Sequence, residues 1–262
     1  HAGGRLDVQA KAGWLDAPQI AYFGLGPVNA RGDRTSFRMQ QAWLGGSAAL
    51  RPVPMVHLGI GSAIEAFTLG EGKGRWPSIE TRSAADEVPG LGTSPTYAHT
   101  TASAGFDWRP APGYARRGGS YGVTYHRYDG DGPPVARLDV DVVQHAPLLR
   151  ETWVLSGHGR LQTTVSDGVV PYYLLPALGG GTTLRAYTSW RFRDRHSLLL
   201  QGEFRWNPNL LGLEMALFYD AGTVAPTRGA LPDGPFTHDV GLGLRLHSFT
   251  RTAVRLEVAK GS

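Results

Sequence analysis

Hydrophobic residues occupy every second position over most of this chain, and this period of two restricts its fold more than any other feature. Over residues 196–206, Leu198, Leu200 and Phe204 share one face and Glu203 lies on the other. Such alternation is typical of β-strands, and we find no segment with the period of a long amphipathic helix. The predicted strands are residues 4–13, 36–50, 54–67, 96–109, 116–129, 135–147, 151–165, 196–207, 212–222, 236–247 and 251–261.

Several of these predicted strands exceed ten residues, whereas the strands of soluble sheets are usually five or six residues long. A strand that crosses a bilayer at a tilt needs about nine to eleven residues. The chain has no apolar run near the 18 or so residues that a membrane helix needs. A transmembrane barrel has no such run either, because only every second residue of its strands faces lipid.

The connections between the predicted strands also differ in length in an ordered way. Short connections (51–54, 109–115, 147–150, 207–211) alternate with longer ones (14–35, 68–95, 166–195, 223–235), and only the short loop 129–134 departs from the order. Outer-membrane barrels have short periplasmic turns and long external loops. Aromatic residues near strand ends suit membrane interfaces, and here they are Trp14, Trp108, Trp153, Trp206 and Tyr128. We therefore predict an all-β, transmembrane antiparallel barrel with a polar lumen, not a soluble barrel with an apolar interior.

Composition excludes several other classes of protein. Glycine supplies 36 of the 262 residues, about twice its average usage, without the triplet period of collagen. The absence of cysteine excludes disulfide scaffolds, thiolate zinc sites and cysteine nucleophiles. Basic residues are dispersed and the net charge is only +4, which argues against nucleic acid as a partner. The nine histidines have no metal-ligand spacing and no nucleotide-binding motif occurs, so we expect no metal and no cofactor.

Four motifs follow one another between Gly179 and Lys260. They are the loop Gly179-Gly180-Gly181-Thr182-Thr183-Leu184-Arg185-Ala186-Tyr187, the strand residue Glu203, the strand Phe218-Tyr219-Asp220-Ala221-Gly222, and Val240-Gly241-Leu242-Gly243-Leu244-Arg245. In order and spacing they resemble the bacterial surface antigen (BamA/TamA) superfamily of outer-membrane barrels. The resemblance implies a location in the bacterial outer membrane and a role in membrane insertion or transport of polypeptide or lipid, or as a gated pore. Outer-membrane lipid and a partner or client protein are the implied partners.

In this superfamily, an external loop folds back into the barrel and its arginine meets acidic residues of the inner wall. The resemblance implies that a loop at about residues 166–195 brings Arg185 to Glu203 or Asp220. A guanidinium in a confined lumen also needs carboxylates, and both acids lie on the polar faces of their predicted strands. The alternative is that Arg185 is a solvated loop residue.

The chain departs from the family pattern at two places. Ala186 replaces the family glycine, so the loop tip must differ in conformation if this position requires a positive φ. Family barrels usually end on an aromatic residue, whereas this sequence ends on Ser262. Closure asks for an even number of strands, so we expect about twelve, the twelfth either missing or supplied by residues 186–194. We expect residues 1–262 to form a single barrel domain, a short form without periplasmic polypeptide-transport-associated (POTRA) repeats.

Two other functions remain open. The barrel could anchor a partner protein in the outer membrane, or it could be an outer-membrane hydrolase. Residues Gly118–Gly122 match the G-x-S-x-G motif around Ser120, but that motif requires a strand, a sharp turn and a helix, and here it begins a predicted strand. We therefore expect no enzyme. The sequence leaves the oligomeric state open.

Charged residues fall into two groups whose roles the sequence leaves open. Those on predicted lumen faces either line a conducting path or pair with one another; they are Arg137, Asp139, Asp141, Arg160, Glu203, Arg205, Glu214, Arg245, Arg255 and Glu257. Those in predicted external loops either contact anionic lipid headgroups or are ordinary solvated charges; they are Arg31, Arg34, Lys73, Arg75 and Arg228.

Overall fold

The computed structural model describes residues 5–83, 87–166, 168–208, 212–247 and 252–262, and the regular secondary structure of these residues is almost entirely β. The strands are β1 (Leu6–Tyr22), β2 (Thr35–Leu50), β3 (Val56–Glu71), β4 (Thr96–Asp107), β5 (Gly118–Gly130), β6 (Val135–Leu148), β7 (Trp153–Thr164), β8 (Ala177–Leu178), β9 (Phe192–Arg193), β10 (His196–Trp206), β11 (Leu213–Ala225), β12 (Thr237–His247) and β13 (Thr252–Gly261). One short helix, α1 (Ile79–Arg82), and the 3-10 turns Arg31–Asp33, Pro112–Tyr114 and Arg228–Ala230 lie in the connections. Within the described ranges, no helix has the length and apolar character needed to cross a membrane.

Eleven of the strands form one antiparallel sheet in the order β1-β2-β3-β4-β5-β6-β7-β10-β11-β12-β13. Each strand pairs with its neighbour in sequence, whether a short turn or a long loop joins the two, as in an up-and-down antiparallel sheet. The exception is the step from β7 to β10, where a long loop containing β8 and β9 intervenes. Strands β8 and β9 pair with each other and not with the large sheet.

The two faces of the large sheet have the polarity predicted for a membrane barrel. Outward-facing apolar side chains are largely exposed, among them Leu44, Leu242 and Val258, the last at 78%. Inward-facing Glu214 and Asp220 are fully buried. A soluble protein would place these groups the other way round, since burial of apolar surface drives its folding.

Strand β1 is longer than its alternation predicts. Residues 14–22 were expected in an external loop, but Ile20–Tyr22 pair with β2, after a shift in register between Ala17 and Ile20. Pro18 lies inside this shift, where a residue that cannot donate a backbone hydrogen bond is tolerated. Trp14 therefore lies within a strand and not near its end.

Residues 186–194 do not supply a barrel strand, so that alternative is wrong. Within this segment only Phe192–Arg193 is extended, and it pairs with β8. Its apolar side chain Phe192 is buried with Leu184 against Leu199 of β10 and Val224 of β11. The segment is therefore packed inside the sheet, and the described sheet has eleven strands.

A second apolar cluster lies where the first strands meet the long loops. Phe37, Phe67 and Tyr97 of the strands pack there against Tyr172 and Leu174 of the loop between β7 and β10. Tyr128 belongs to the same cluster and points inward, not to the membrane interface. This cluster fixes the first half of the loop, and the cluster around Leu184 fixes the second half.

Candidate functional site

The loop between β7 and β10, called here the lumen loop (residues 165–195), contacts segments beside both ends of the sheet. The amide of Gly26, which follows β1, donates to the carbonyl of Arg193 at 2.9 Å. Near the last strand, the hydroxyl of Tyr187 donates to the carbonyl of Ser262 at 3.0 Å. The sheet therefore curves around this loop, and the loop occupies the space it encloses.

Arg185 attaches the tip of the lumen loop to the inner face of the sheet. Its Nε and Nη2 donate to the two carboxylate oxygens of Asp220 on β11, each at 2.7 Å. Its Nη1 donates to Glu203 on β10 at 2.7 Å and to Glu257 on β13 at 3.2 Å. The Arg185 side chain is only 3% exposed, so it is not a solvated loop residue.

The aromatic residue of the same strand motif completes the contact. Phe218 lies two residues before Asp220 on β11 and therefore faces the same side of the sheet. The Cζ atom of Arg185 lies 3.5 Å from the centroid of the Phe218 ring. One strand thus offers a carboxylate to the edge of the guanidinium and an aromatic ring to its face, a geometry that an arginine fits and a lysine does not.

A second arginine, Arg245, contacts two of the same carboxylates as Arg185. Arg245 of β12 donates from Nη1 and Nη2 to both oxygens of Glu203, at 2.9 and 2.7 Å. It also donates to Glu257 at 2.9 Å and to Glu214 at 3.1 Å. Glu203 and Glu257 therefore each bridge the loop arginine and the wall arginine. The full lumen ion cluster consists of Arg185, Arg205, Arg245, Arg255, Glu203, Glu214, Asp220 and Glu257.

Two of the three consecutive glycines are required by the turn that precedes Arg185. Gly179 and Gly180 have φ angles of +112° and +98°, which favour glycine. The amide of Gly180 donates to the carbonyl of Tyr187 at 2.9 Å, which closes the loop on itself. A Cβ atom on Gly181 would meet nothing within 4 Å, so this third glycine has no such constraint.

Ala186 and Tyr187 attach the loop tip to the last two strands. Ala186 does not have a positive φ, so alanine fits this position without backbone strain. Its amide donates to Asp239 of β12 at 3.2 Å. The hydroxyl of Tyr187 lies 3.2 Å from the carbonyl of His238 and can donate to it as well.

Gly222, the last residue of the β11 motif, makes room for the loop. A Cβ atom there would lie 2.8 Å from Cδ1 of Leu178 and 3.5 Å from Cδ1 of Leu184. Both leucines belong to the lumen loop and are fully buried. A side chain at position 222 would push the loop away from the wall.

The structure thus brings Arg185 together with Glu203 and Asp220, and it places Phe218 and Gly222 against the same loop. Sequence reasoning placed Arg245, Glu214 and Glu257 in the lumen but did not connect them with Arg185. Asp239 was missed as a ligand of the loop. The positions of Glu257 and Asp239 near the loop follow from the register between strands. Gly243 is paired with Glu257, and Asp220 is paired with Asp239.

A second row of polar side chains crosses the neighbouring strands β3 to β6. His99 Nδ1 lies 2.7 Å from Glu65, His99 Nε2 lies 3.1 Å from His126 Nδ1, and His126 Nε2 lies 3.6 Å from Asp139. Asp139 also accepts a hydrogen bond from Nε of Arg137 at 2.8 Å. The remaining charges predicted to face the lumen pair in the same way, as in Arg160 with Asp141 at 2.8 Å.

The lumen beside Arg185 is not filled. A cavity of about 250 Å³ lies between the loop tip and the wall, and His145, Ser156, His158 and Gln201 line it together with Arg185. Across the described ranges, no three histidine, aspartate or glutamate side chains are arranged to hold a metal ion. Ser120 lies inside β5, which lacks the turn and helix of a nucleophile elbow.

Two charged groups of the lumen loop are held away from water. Burial lowers the pKa of Arg193 to about 10, and its Nη1 donates to the carbonyl of Tyr172. Its guanidinium lies 5.8 Å from the ring centroid of Phe37. Burial raises the pKa of Asp194, and a hydrogen bond from the amide of Arg195 opposes that effect. Removing these two charged groups from water costs free energy when the loop is docked.

Comparison with known proteins identifies the fold. No protein-family model and no curated protein sequence matches the chain. Among solved structures, BamA from Haemophilus ducreyi lacking POTRA domains 1–3 is similar with a TM-score of 0.69 at 13% identity, over 97% of this chain and 59% of that one. CdiB from Acinetobacter baumannii is similar with a TM-score of 0.58 at 14% identity, over 98% of this chain and 44% of that one.

The present chain therefore spans about half the length of these two proteins. At such low identity the similarity establishes the fold. The chain has the outer-membrane barrel fold of BamA and CdiB, the fold that its resemblance to the surface antigen superfamily predicts.

Proposed function

We propose that this chain forms a barrel in the bacterial outer membrane and that the lumen loop acts as its plug. The barrel then serves the insertion or transport of a polypeptide or lipid, or it opens as a gated pore. The observation that carries the proposal is the contact of Arg185 with three carboxylates on three strands. The exposed apolar outer face of the sheet supports lipid as its surroundings.

Stability alone does not account for the lumen ion cluster. Replacing a buried ion pair by apolar residues of similar volume is often neutral or stabilising, because charges lose their hydration on burial. Ion pairs at the loop tip can exchange their partners for water when the loop leaves, so the loss of burial then falls on its apolar side chains, such as Leu184. A cavity of about 250 Å³ already lies beside Arg185, so departure of the loop would enlarge an existing space.

Conductance across a planar bilayer tests the plug. We expect the unaltered protein to open rarely and Arg185→Ala to open often and to a larger conductance. Arg109→Ala is the matched control, because Arg109 forms a similar bidentate pair with Asp107 outside the lumen loop. Silence of both the unaltered protein and Arg185→Ala would contradict a pore and would favour the anchoring role.

Chemical labelling tests whether the loop leaves the lumen in cells. Because the chain has no cysteine, a single introduced cysteine reports its own exposure. Leu184 is fully buried, so Leu184→Cys should react with a membrane-impermeant thiol reagent only when the plug leaves. Val169→Cys in the same loop is 55% exposed and should react at all times. No reaction at position 184 under any condition, including the Arg185→Ala background, would contradict the proposal.

A further inference from the structure

Three arginines converge on a cavity that the lumen ion cluster does not explain. Arg31 and Arg34 lie at the 3-10 turn between β1 and β2, and Arg191 comes from the lumen loop. Together with Phe23 and Tyr187 they line a cavity of about 300 Å³. This volume is at the lower end of the range for small-molecule sites.

Aromatic rings hold two of these guanidinium groups in place. The Cζ atom of Arg34 lies 4.5 Å from the ring centroid of Trp76 and 5.9 Å from that of Phe23. The Cζ atom of Arg191 lies 4.1 Å from the ring centroid of Phe23. Stacking occupies the faces of a guanidinium and leaves the N–H groups at its edge available to a ligand.

The hydrogen bonds of the cluster are only partly satisfied by the protein. Arg191 donates to the carbonyls of Ala30 and Asn29, the former at 3.1 Å, which fixes its side chain. Nε of Arg34 is buried and has no hydrogen-bond partner. A buried donor without a partner costs free energy, so the protein alone does not satisfy this guanidinium.

Positive charge at the cavity is not balanced. Within the described residues, neither Arg31 nor Arg34 forms an ion pair. Asp33 is the neighbouring acid, and one of its oxygens accepts the amide of Ala30 at 3.0 Å. Burial first, and then the charge of Arg31, lower the pKa of Arg191. The three guanidinium groups thus line the cavity, and its lining residues include no carboxylate.

We propose that this cavity binds an oxyanion of the phosphate class, either free or as the headgroup of a phosphorylated lipid. Several guanidinium groups from separate segments suit a tetrahedral anion with oxygens pointing in different directions, whereas one arginine is sufficient for a carboxylate. Phe23, Trp76 and Tyr187 supply apolar faces around the site that would contact the group esterified to the phosphate. Because Arg191 and Tyr187 belong to the lumen loop, an anion bound here would also rest against that loop.

Isothermal titration calorimetry on the folded protein tests the proposal in two arms. In detergent the probe is inorganic phosphate. In phosphatidylcholine nanodiscs the probe is lipid A carrying two phosphates, compared with nanodiscs of phosphatidylcholine alone. We expect the double variant Arg31→Gln/Arg34→Gln to bind the probe at least about tenfold more weakly than the unaltered protein. Arg191 is left unchanged because its bonds to the backbone also hold the fold.

The control variant Arg51→Gln/Arg117→Gln removes the same charge from exposed turns at the opposite end of the sheet, and it should bind normally. Heat-modifiable migration on gels checks that each variant is folded. Binding of phosphate alone would identify a free oxyanion as the ligand, and binding of lipid A alone would identify a lipid headgroup. Absence of binding in both arms, or an equal loss in the control variant, would overturn the proposal. None of these outcomes depends on whether the lumen loop acts as a plug.

Discussion

Asp220 receives two parallel hydrogen bonds from Arg185, each 2.7 Å long, although one residue lies on strand β11 and the other on a long loop. Asp220 is completely buried and also accepts a hydrogen bond from Gln201 at 3.1 Å. The strand therefore presents a fixed carboxylate, and docking of the loop depends on one guanidinium reaching it. This relationship makes Asp220 the position at which the attachment of the loop can be measured.

The substitution Asp220→Asn should lower the free energy of unfolding by about 3 kcal/mol, because removing one partner of a buried pair leaves the other charge inadequately balanced. Glu203 and Glu257 still contact Arg185, which limits the loss. Guanidinium unfolding in detergent, followed by tryptophan fluorescence, measures it. The control Asp129→Asn removes an exposed partner of Arg127 and should cost about 1 kcal/mol or less. Equal losses in both variants would contradict a special role of Asp220.

The substitution Gly222→Ala should displace the lumen loop without removing any charge. The added methyl group would meet Cδ1 of Leu178 at 2.8 Å, and overpacking of this kind costs about 1–3 kcal/mol. Greater reactivity of Leu184→Cys toward a thiol reagent would report the displacement. Gly157→Ala is the control, because a Cβ atom on this strand glycine meets nothing within 4 Å. The prediction fails if the reactivity of position 184 is the same in both backgrounds.

The three consecutive glycines of the lumen loop should respond differently to alanine. Gly179→Ala forces a side chain into a positive φ of 112° and toward the carbonyl of Thr188, and we expect a loss of about 1–3 kcal/mol. Gly181→Ala should be close to neutral, because its surroundings are open. Unfolding curves of the two variants in the same detergent provide the comparison. Equal costs for Gly181→Ala and Gly179→Ala would contradict a turn that requires a positive φ at position 179 and not at position 181.

Much of the barrel could be predicted from the sequence because burial on one side of a sheet imposes a period of two on every strand. The prediction was wrong where that period is interrupted, as at the register shift around Pro18 in β1. The segment 186–194 was open to interpretation as a strand because its apolar residues pack inside the lumen and not against lipid. Alternation does not distinguish these two apolar surroundings.

The candidate site was predictable only in part, for a different physical reason. Polar faces and motif order point to Arg185, Glu203 and Asp220 as neighbours, since each position follows from its own strand or loop. The contact with Glu257 depends on the register of β12 against β13, and the contact with Asp239 on the register of β11 against β12. Register is a relation between strands, and spacing within one strand does not specify it.

The buried carboxyl of Asp194 should make the stability of the docked loop depend on pH. Burial raises the pKa of this group above its ordinary value, so the folded state binds a proton more readily than the unfolded state. The contribution of this carboxyl group to the free energy of unfolding is complete below the unfolded pKa of about 4, and it is lost as the pH rises through the folded pKa.

Asp194→Asn keeps the oxygen that accepts a hydrogen bond from the amide of Arg195, and it removes the titrating group. The variant should therefore become more stable than the unaltered protein as the pH rises from 4 toward neutrality. Asp233→Asn, at an exposed position in another loop, should show no such change. Unfolding measured at several pH values in one detergent decides the matter, and parallel pH profiles for the unaltered protein and Asp194→Asn would contradict a titrating group at position 194.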